Sequence, residues 1–186
     1  MLCQRRALAL LTGAVLVGLG SSTYWTFGVV HLIDAGALSS AQSRIFLGIV
    51  GVASVLATLT ADLMRRIGPQ RTFVTMTVAE ALALALLALA PFSLTAAIAS
   101  AILFGTAYNA TVGIQAIWST HLFAARPSLG ISAAMSANGV GLLLGPFGAG
   151  VLAGPFGLTA ALLAGAAVVA AGVVGDHAVA AALQSA

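Results

Sequence analysis

Six stretches of about 20 apolar residues, parted by short polar gaps that hold nearly every arginine, constrain this chain more than any other feature. A bilayer's hydrocarbon core is about 30 Å thick, and a helix rising ~1.5 Å per residue needs roughly 20 residues to cross it. No water reaches the backbone there, so each crossing satisfies its own hydrogen bonds as a helix. The expected spans cover about 7–32, 45–64, 72–90, 94–122, 129–153 and 157–175, with a short tail at 176–186. The breaks fall at polar or helix-ending runs: Asp34 to Arg44, Arg65 to Arg71 around Gly68-Pro69, Pro91-Phe92-Ser93, Arg126-Pro127-Ser128 and Gly154-Pro155-Phe156-Gly157. The expectation is a single all-α integral membrane domain of six transmembrane helices.

Composition excludes the soluble alternatives. Of 186 residues, 61% are hydrophobic and 6% charged, where soluble domains carry about 25% charged residues. Six spans leave no room within this length for a separate soluble domain. The basic residues are seven arginines and no lysine. They sit at span boundaries rather than clustered among stacking aromatics, which argues against nucleic acid as a partner. Cys3 is the single cysteine, so no internal disulfide framework forms. Span parity puts His31 on the opposite side from His121 and His177, so no metal site is expected, and nothing implies a cofactor. Abundant Ala, Gly, Leu and Arg without Lys point to a GC-rich bacterial genome, and hence to a bacterial inner (plasma) membrane.

Charge sets the orientation. Arg5, Arg6, Arg65, Arg66, Arg71 and Arg126 fall on one side by parity and only Arg44 on the other, which places both termini, and the tail, in the cytoplasm. Arg5-Arg6 before an apolar run also has the form of a secretory signal peptide. The run continues through Tyr24-Trp25-Thr26-Phe27, longer than a signal core, and a retained first span is the better reading.

Polar residues inside spans carry the functional information. On the fourth span, at about 100° per residue, Tyr108, Thr111, Gln115 and Trp118 share one arc. Lipid does not solvate an amide or a phenol, so this stripe faces other helices or a watered cavity, and both roles stay open. On the first span Ser21, Tyr24, Gly28 and His31 share a face with Trp25 beside it; interfacial anchoring competes with cavity lining for the aromatics. His31, near the outer boundary, reads as a solvated surface histidine, with protonation coupling as the sharper alternative. Glu80 is the one acidic residue well inside a span. It is either a protonated structural group, bonded to Thr77 one turn away, or a step on a proton pathway; with no basic partner at its depth, the structural role is favoured. The fifth span presents Ala134, Ala137, Gly141, Gly145 and Gly148 as a small-residue packing face. Pro146 invites a kink, and Asn138 lies beside that face. No arrangement of nucleophile, base and Gly-flanked loop meets the geometry of an intramembrane enzyme, so none is expected.

Thr60-Ala61-Asp62-Leu63-Met64-Arg65-Arg66-Ile67-Gly68-Pro69-Gln70-Arg71 resembles the cytoplasmic loop signature of the major facilitator superfamily, in which an acid, arginines and a glycine recur between the second and third helices of each half. The run from Gly141 through Gly145-Pro146-Phe147-Gly148 resembles that family's Gly-Pro helix motif. Tyr24-Trp25-Thr26-Phe27, and Trp118-Ser119 followed by Arg126-Pro127-Ser128, are similar to the carboxy-terminal half of such carriers. Three features depart from the pattern: Asp62 stands four residues before Arg66 rather than beside it, Ala61 replaces the loop glycine, and six spans stand in place of twelve.

The resemblance implies a half bundle of a secondary transporter that moves a small solute by alternating access. Tyr24, Trp25, Tyr108, Thr111, Gln115, Trp118 and Asn138 are then the substrate-cavity candidates. Asp62, Arg65, Arg66, Gly68 and Arg71 form the loop motif, with Asp62 and Arg66 expected to pair across adjacent turns, Gly141, Gly145, Pro146 and Gly148 pack helices, and Glu80 and His31 are candidates for proton coupling. It also implies a peripheral third span, and, besides lipid and solute, an amino-terminal-half partner or a second copy. The other reading is a non-transporting six-span protein that packs against a partner, its polar stripes serving as helix contacts. In right-side-out vesicles on a Cys3→Ser background, an impermeant thiol reagent should label Asp34→Cys and spare Arg65→Cys; the reverse pattern inverts the topology.

Overall fold

The computed structural model describes residues 2–39 and 41–183, with side chains described for 6–39 and 41–173. The side chains of Cys3, Arg5 and His177, and those of the expected tail at 176–186, lie outside the described residues. Helix α1 runs Leu2–Asp34, α2 Gln42–Ala53, α3 Thr60–Ile67, α4 Pro69–Leu89, α5 Leu94–Leu122 and α6 Pro127–Leu183, with a 3-10 segment, Ser54–Leu59, joining α2 to α3. No strand occurs among the described residues. Five helical runs are long and apolar enough to cross a membrane: Arg6–Asp34, Gln42–Ile67, Pro69–Leu89, Leu94–Leu122 and Pro127–Val173. This is the architecture of an all-α membrane protein.

The expected count of six separate helices is not matched, because the fifth and sixth expected spans form one run. A straight helix of its 57 residues would extend about 85 Å, well beyond a hydrocarbon core of about 30 Å. Gly157 interrupts it, with φ 80° and ψ 169°, a conformation open to glycine for want of a Cβ. Helix α1 records the change of direction. Going up α1, Ala14, Gly18 and Ser22 meet Asn138, Gly141 and Gly145 of the first limb of α6 in that order, so the two run parallel. On the second limb Gly172 lies by Gly13 and Val17, and Gly165 by Gly20 and Thr23, so this limb runs antiparallel to α1. Pro146 lies inside the first limb, and α6 leaves helical geometry at Gly157 rather than there.

The other boundaries follow from local chemistry. Gly68, at φ 87°, closes α3 by donating its amide to the Met64 carbonyl (3.0 Å), and its own carbonyl accepts the Thr72 amide (3.1 Å) as α4 begins. Pro69 occupies the first position of α4, where its missing N–H costs nothing. Ser93 caps α5, its hydroxyl accepting the Ala96 amide at 3.3 Å. The second expected span, read as one uninterrupted helix, is instead broken by six residues of 3-10 geometry.

In lipid, helices are drawn together by close packing rather than by the hydrophobic effect, and small residues permit it. A Cβ at Gly18 would overlap the Asn138 carbonyl oxygen, one at Gly141 the Val15 carbonyl oxygen, and one at Gly145 the Ser22 hydroxyl. On the other limb, a Cβ at Gly20 would come within 2.5 Å of the Gly165 carbonyl oxygen. Helix α1 is thus clasped backbone to backbone from two sides. Gly148 does not take part; it is exposed with open space around it, so the packing motif ends at Gly145. Two buried clusters fill the bundle, one around Tyr24, Leu32, Phe46, Leu84, Leu87 and Phe104, the other around Leu10, Phe73, Ile114 and Trp118.

Gly145→Leu should destabilise the protein by about 1–3 kcal/mol or more, since both neighbours are α1 atoms with nowhere to go. Gly148→Leu should stay within about 0.5 kcal/mol of wild type. Unfolding in detergent micelles measures both; equal losses would show that the clasp does not set stability.

Candidate functional site

Helices α1, α4 and α5 bring their polar residues to a common seam. Ser21 sits at the narrow part of α1, between Gly18 and the Tyr24 ring one turn on. Its Oγ lies 2.5 Å from the Val17 carbonyl oxygen and also bonds Glu80 Oε1 of α4. The hydroxyl has one proton and two acceptors. A carbonyl only accepts, so both contacts are filled together when the Glu80 carboxyl carries its own proton and donates it to Ser21. Thr77, the expected partner of Glu80, instead donates to the Phe73 carbonyl at 3.0 Å.

Glu80 is fully buried, and it faces Thr111 and Tyr108 from α5. Its Oε2 and the Thr111 Oγ1 are buried without a hydrogen-bond partner among the described residues. One carboxyl oxygen is therefore committed to α1, and the other faces Thr111 of α5. Such a carboxyl can pass a proton from one side of itself to the other by rotation. Glu80 joins helix α4 to α1.

An aromatic stack runs beside this pair. The Tyr24 ring lies 3.8 Å from Phe104 at 5° between planes, Phe104 lies 5.6 Å from Tyr108 at 2°, and Phe46 flanks Tyr24 at 6.2 Å. Trp25 meets Phe104 and Tyr108 edge-on at 5.4 and 6.1 Å. Both phenols are held. Ser100 Oγ donates to the Ala83 carbonyl (2.8 Å), so its contact with Tyr24 at 3.0 Å is filled by the tyrosine proton. Tyr108 donates to Asn138 Oδ1 at 3.2 Å, and Asn138 Nδ2 reaches the Ala14 carbonyl at 3.5 Å. Asn138 is thus the link from the seam to the clasp.

The cavity candidates separate into groups. Tyr24, Trp25, Tyr108 and Asn138 are joined in the seam, and Thr111 faces Glu80. Gln115 is buried on the same side of α5, and Trp118 belongs to the second cluster, 5.0 Å from Phe73. Tyr24, Thr111 and Gln115 are covered by the chain's own helices, not turned toward lipid. Trp25, 42% exposed, and half-buried Tyr108 form the open edge. Ser100 and Phe104 were not among the sequence candidates. Both lie on the Tyr108 face at four-residue steps, a spacing that singles them out once that face is known.

Two further expectations are corrected. His31 is buried against α4, its Nε2 3.4 Å from the Ala88 carbonyl oxygen, on a helix that continues to Asp34. Asp62 pairs with Arg65 rather than Arg66, three residues away on an exposed helix face. Arg71 is exposed beside Gln70, Val74 and Thr75. No group of three metal-ligating side chains occurs among the described residues.

Neither a known protein family nor a curated protein matches the chain.

At neutral pH, the infrared spectrum should show a protonated carboxylic acid band that Glu80→Gln abolishes. Ser21→Ala should cost about 1–3 kcal/mol by leaving the buried carboxyl unmatched, while Glu80→Gln, whose amide still donates to Ser21, should cost less. A wild-type spectrum without that band would show a carboxylate in the seam.

Proposed function

We propose that the chain is a half-size secondary carrier of the major facilitator kind, a bundle crossing a bacterial inner membrane six times with both termini cytoplasmic. The six crossings count the two limbs of α6 separately. Transport then requires a second six-span bundle, an amino-terminal-half partner or another copy, since alternating access needs two surfaces that close over a midplane site in turn. The observation that carries this reading is the seam. Glu80 and Ser21 meet within apolar helices, with Tyr108 within electrostatic reach, and ionisable groups there are expensive and mark ion or substrate paths. The seam's open edge is the aromatic pair Trp25 and Tyr108, suited to contact a small solute.

A second reading has its own support. Tyr24, Thr111 and Gln115 are buried within the chain, as expected of polar groups that bind helices to one another. On that reading the protein is a non-transporting six-span partner of another membrane protein. Neither reading makes it an enzyme.

Reconstitution in liposomes separates them. Copies per vesicle are counted by single-molecule bleaching, and uptake of a panel of labelled small solutes is measured with and without a pH gradient. Confirmed monomers should take up nothing. Assembled carriers should take up solute and lose most of that uptake on Trp25→Ala, with insertion intact. Uptake by monomers would end the half-carrier reading, and absence of uptake in every assembly would favour the second.

A further inference from the structure

The run Gln42–Ile67 is the least covered of the apolar helices, with 17% of its most apolar window buried. Two hollows lie along it, against α4 and α5. The first, about 460 Å³, opens among Thr60, Asp62, Arg66 and Thr106, with Leu56, Leu59 and Leu63 as its apolar wall. The second, about 750 Å³, is walled by Ile49, Val52, Val55, Leu56 and Ile102 and is almost wholly apolar. Leu56 borders both, and Ile102 and Thr106 stand one turn apart on α5, so the hollows join end to end. The result is a trough with a charged mouth at the helix end and an apolar body toward mid-membrane.

Charge at the mouth is not balanced. Asp62 is engaged by Arg65, and Arg66 has no ion pair among the described residues, so the mouth keeps one net positive charge, while Thr106, its hydroxyl bonded to the Ala53 and Ile102 carbonyls, lines the inner end of the hollow. A guanidinium binds phosphate oxygens in a fork, with the strength of a charge-assisted hydrogen bond. The trough is long enough for a tail. From Arg66 back to Ala53 the backbone rises about 22 Å, counting the 3-10 residues at ~2.0 Å each and the rest at ~1.5 Å, against about 15 Å for half a bilayer core. A free phosphate would leave this apolar body unfilled.

We propose that this trough is a binding site for an anionic phospholipid, its phosphate held by Arg66 at the membrane boundary and one acyl chain lying along Leu56, Val52 and Ile102. The salt bridge between Asp62 and Arg65 tunes the site, because it withholds a second cation from the headgroup. The site stands whether or not the chain transports.

Native mass spectrometry of the full chain, titrated with phosphatidylglycerol or phosphatidylcholine, tests it. Phosphatidylglycerol should bind about tenfold more tightly, because both lipids offer a phosphate but the choline of phosphatidylcholine brings a cation beside Arg66 and cancels the headgroup's net charge, an effect the size of one charge-assisted contact. Arg66→Gln should erase that preference, and Arg71→Gln, outside the mouth, should leave it intact. Asp62→Asn should increase it by releasing Arg65. Ile102→Trp, which fills the trough, should weaken both lipids alike. Thermal unfolding without added lipid checks that these exposed substitutions leave the fold unchanged. Equal binding of the two lipids, or equal losses from Arg66→Gln and Arg71→Gln, would reduce the site to a diffuse basic surface. Disulfide cross-linking of Val52→Cys between two copies, with lipid binding absent, would assign the trough to a second copy and overturn the proposal.

Discussion

Everything in this bundle depends on how closely backbones approach α1. Surrounded by lipid, helices gain nothing from hiding apolar side chains from one another, so proximity itself must supply the attraction. Gly18, Gly141 and Gly145 supply it on one side, and Gly20 and Gly165 on the other. The close approach does more than hold helices together. It brings the Asn138 carbonyl oxygen over Gly18, which sets the Asn138 side chain where Tyr108 can reach it. A larger residue at Gly18 would move α6 outward and break that bond. Packing and polar chemistry in this protein are one system.

The seam is poised between cohesion and chemistry. Most of its polar groups are satisfied: Tyr24 by Ser100, Tyr108 by Asn138, Ser21 by Val17. Satisfied buried networks rigidify a core, and a network with members left over is costly. Glu80 Oε2 and Thr111 Oγ1, two buried atoms outside those bonds, face each other across α4 and α5. A purely structural seam would gain stability by replacing them with apolar groups, and a working one would keep them.

Much of the fold is legible in the sequence because lipid forces local solutions. The limits of α5, Leu94–Leu122, follow directly from Pro91-Phe92-Ser93 and the length of the apolar run. Gly68-Pro69 and Gly157 mark turns by what their backbones alone allow. What periodicity does not carry is the identity of the neighbour. It placed Thr111 and Gln115 on the side of Tyr108, yet whether that side meets water or another helix depends on distances between helices far apart in sequence. His31 misleads for a related reason. Its burial depends on α4, whose Ala88 carbonyl oxygen lies 3.4 Å from its ring and more than fifty residues away in sequence. Asp62 chooses Arg65 over Arg66 by the rotamers of an exposed helix end, which spacing at three or four residues does not separate.

The 3-10 segment Ser54–Leu59 carries a consequence for the angular phase of the chain beyond it. Each 3-10 residue advances about 120° around the axis, against about 100° in an α-helix, so six of them add about 120° of twist and about 3 Å of rise. A helical wheel drawn straight through this run points α3 a third of a turn away from its real bearing. Asp62 and Arg66 owe their place on the same side of the run as Leu56 and Thr106, which line the same hollow, to that added twist. Were the segment to relax to uniform α-helix, the end of the run would withdraw and turn like a screw, and its charges would face another part of the bilayer. The Thr106 hydroxyl is set at that point, 3.1 Å from the Ala53 carbonyl where the geometry changes.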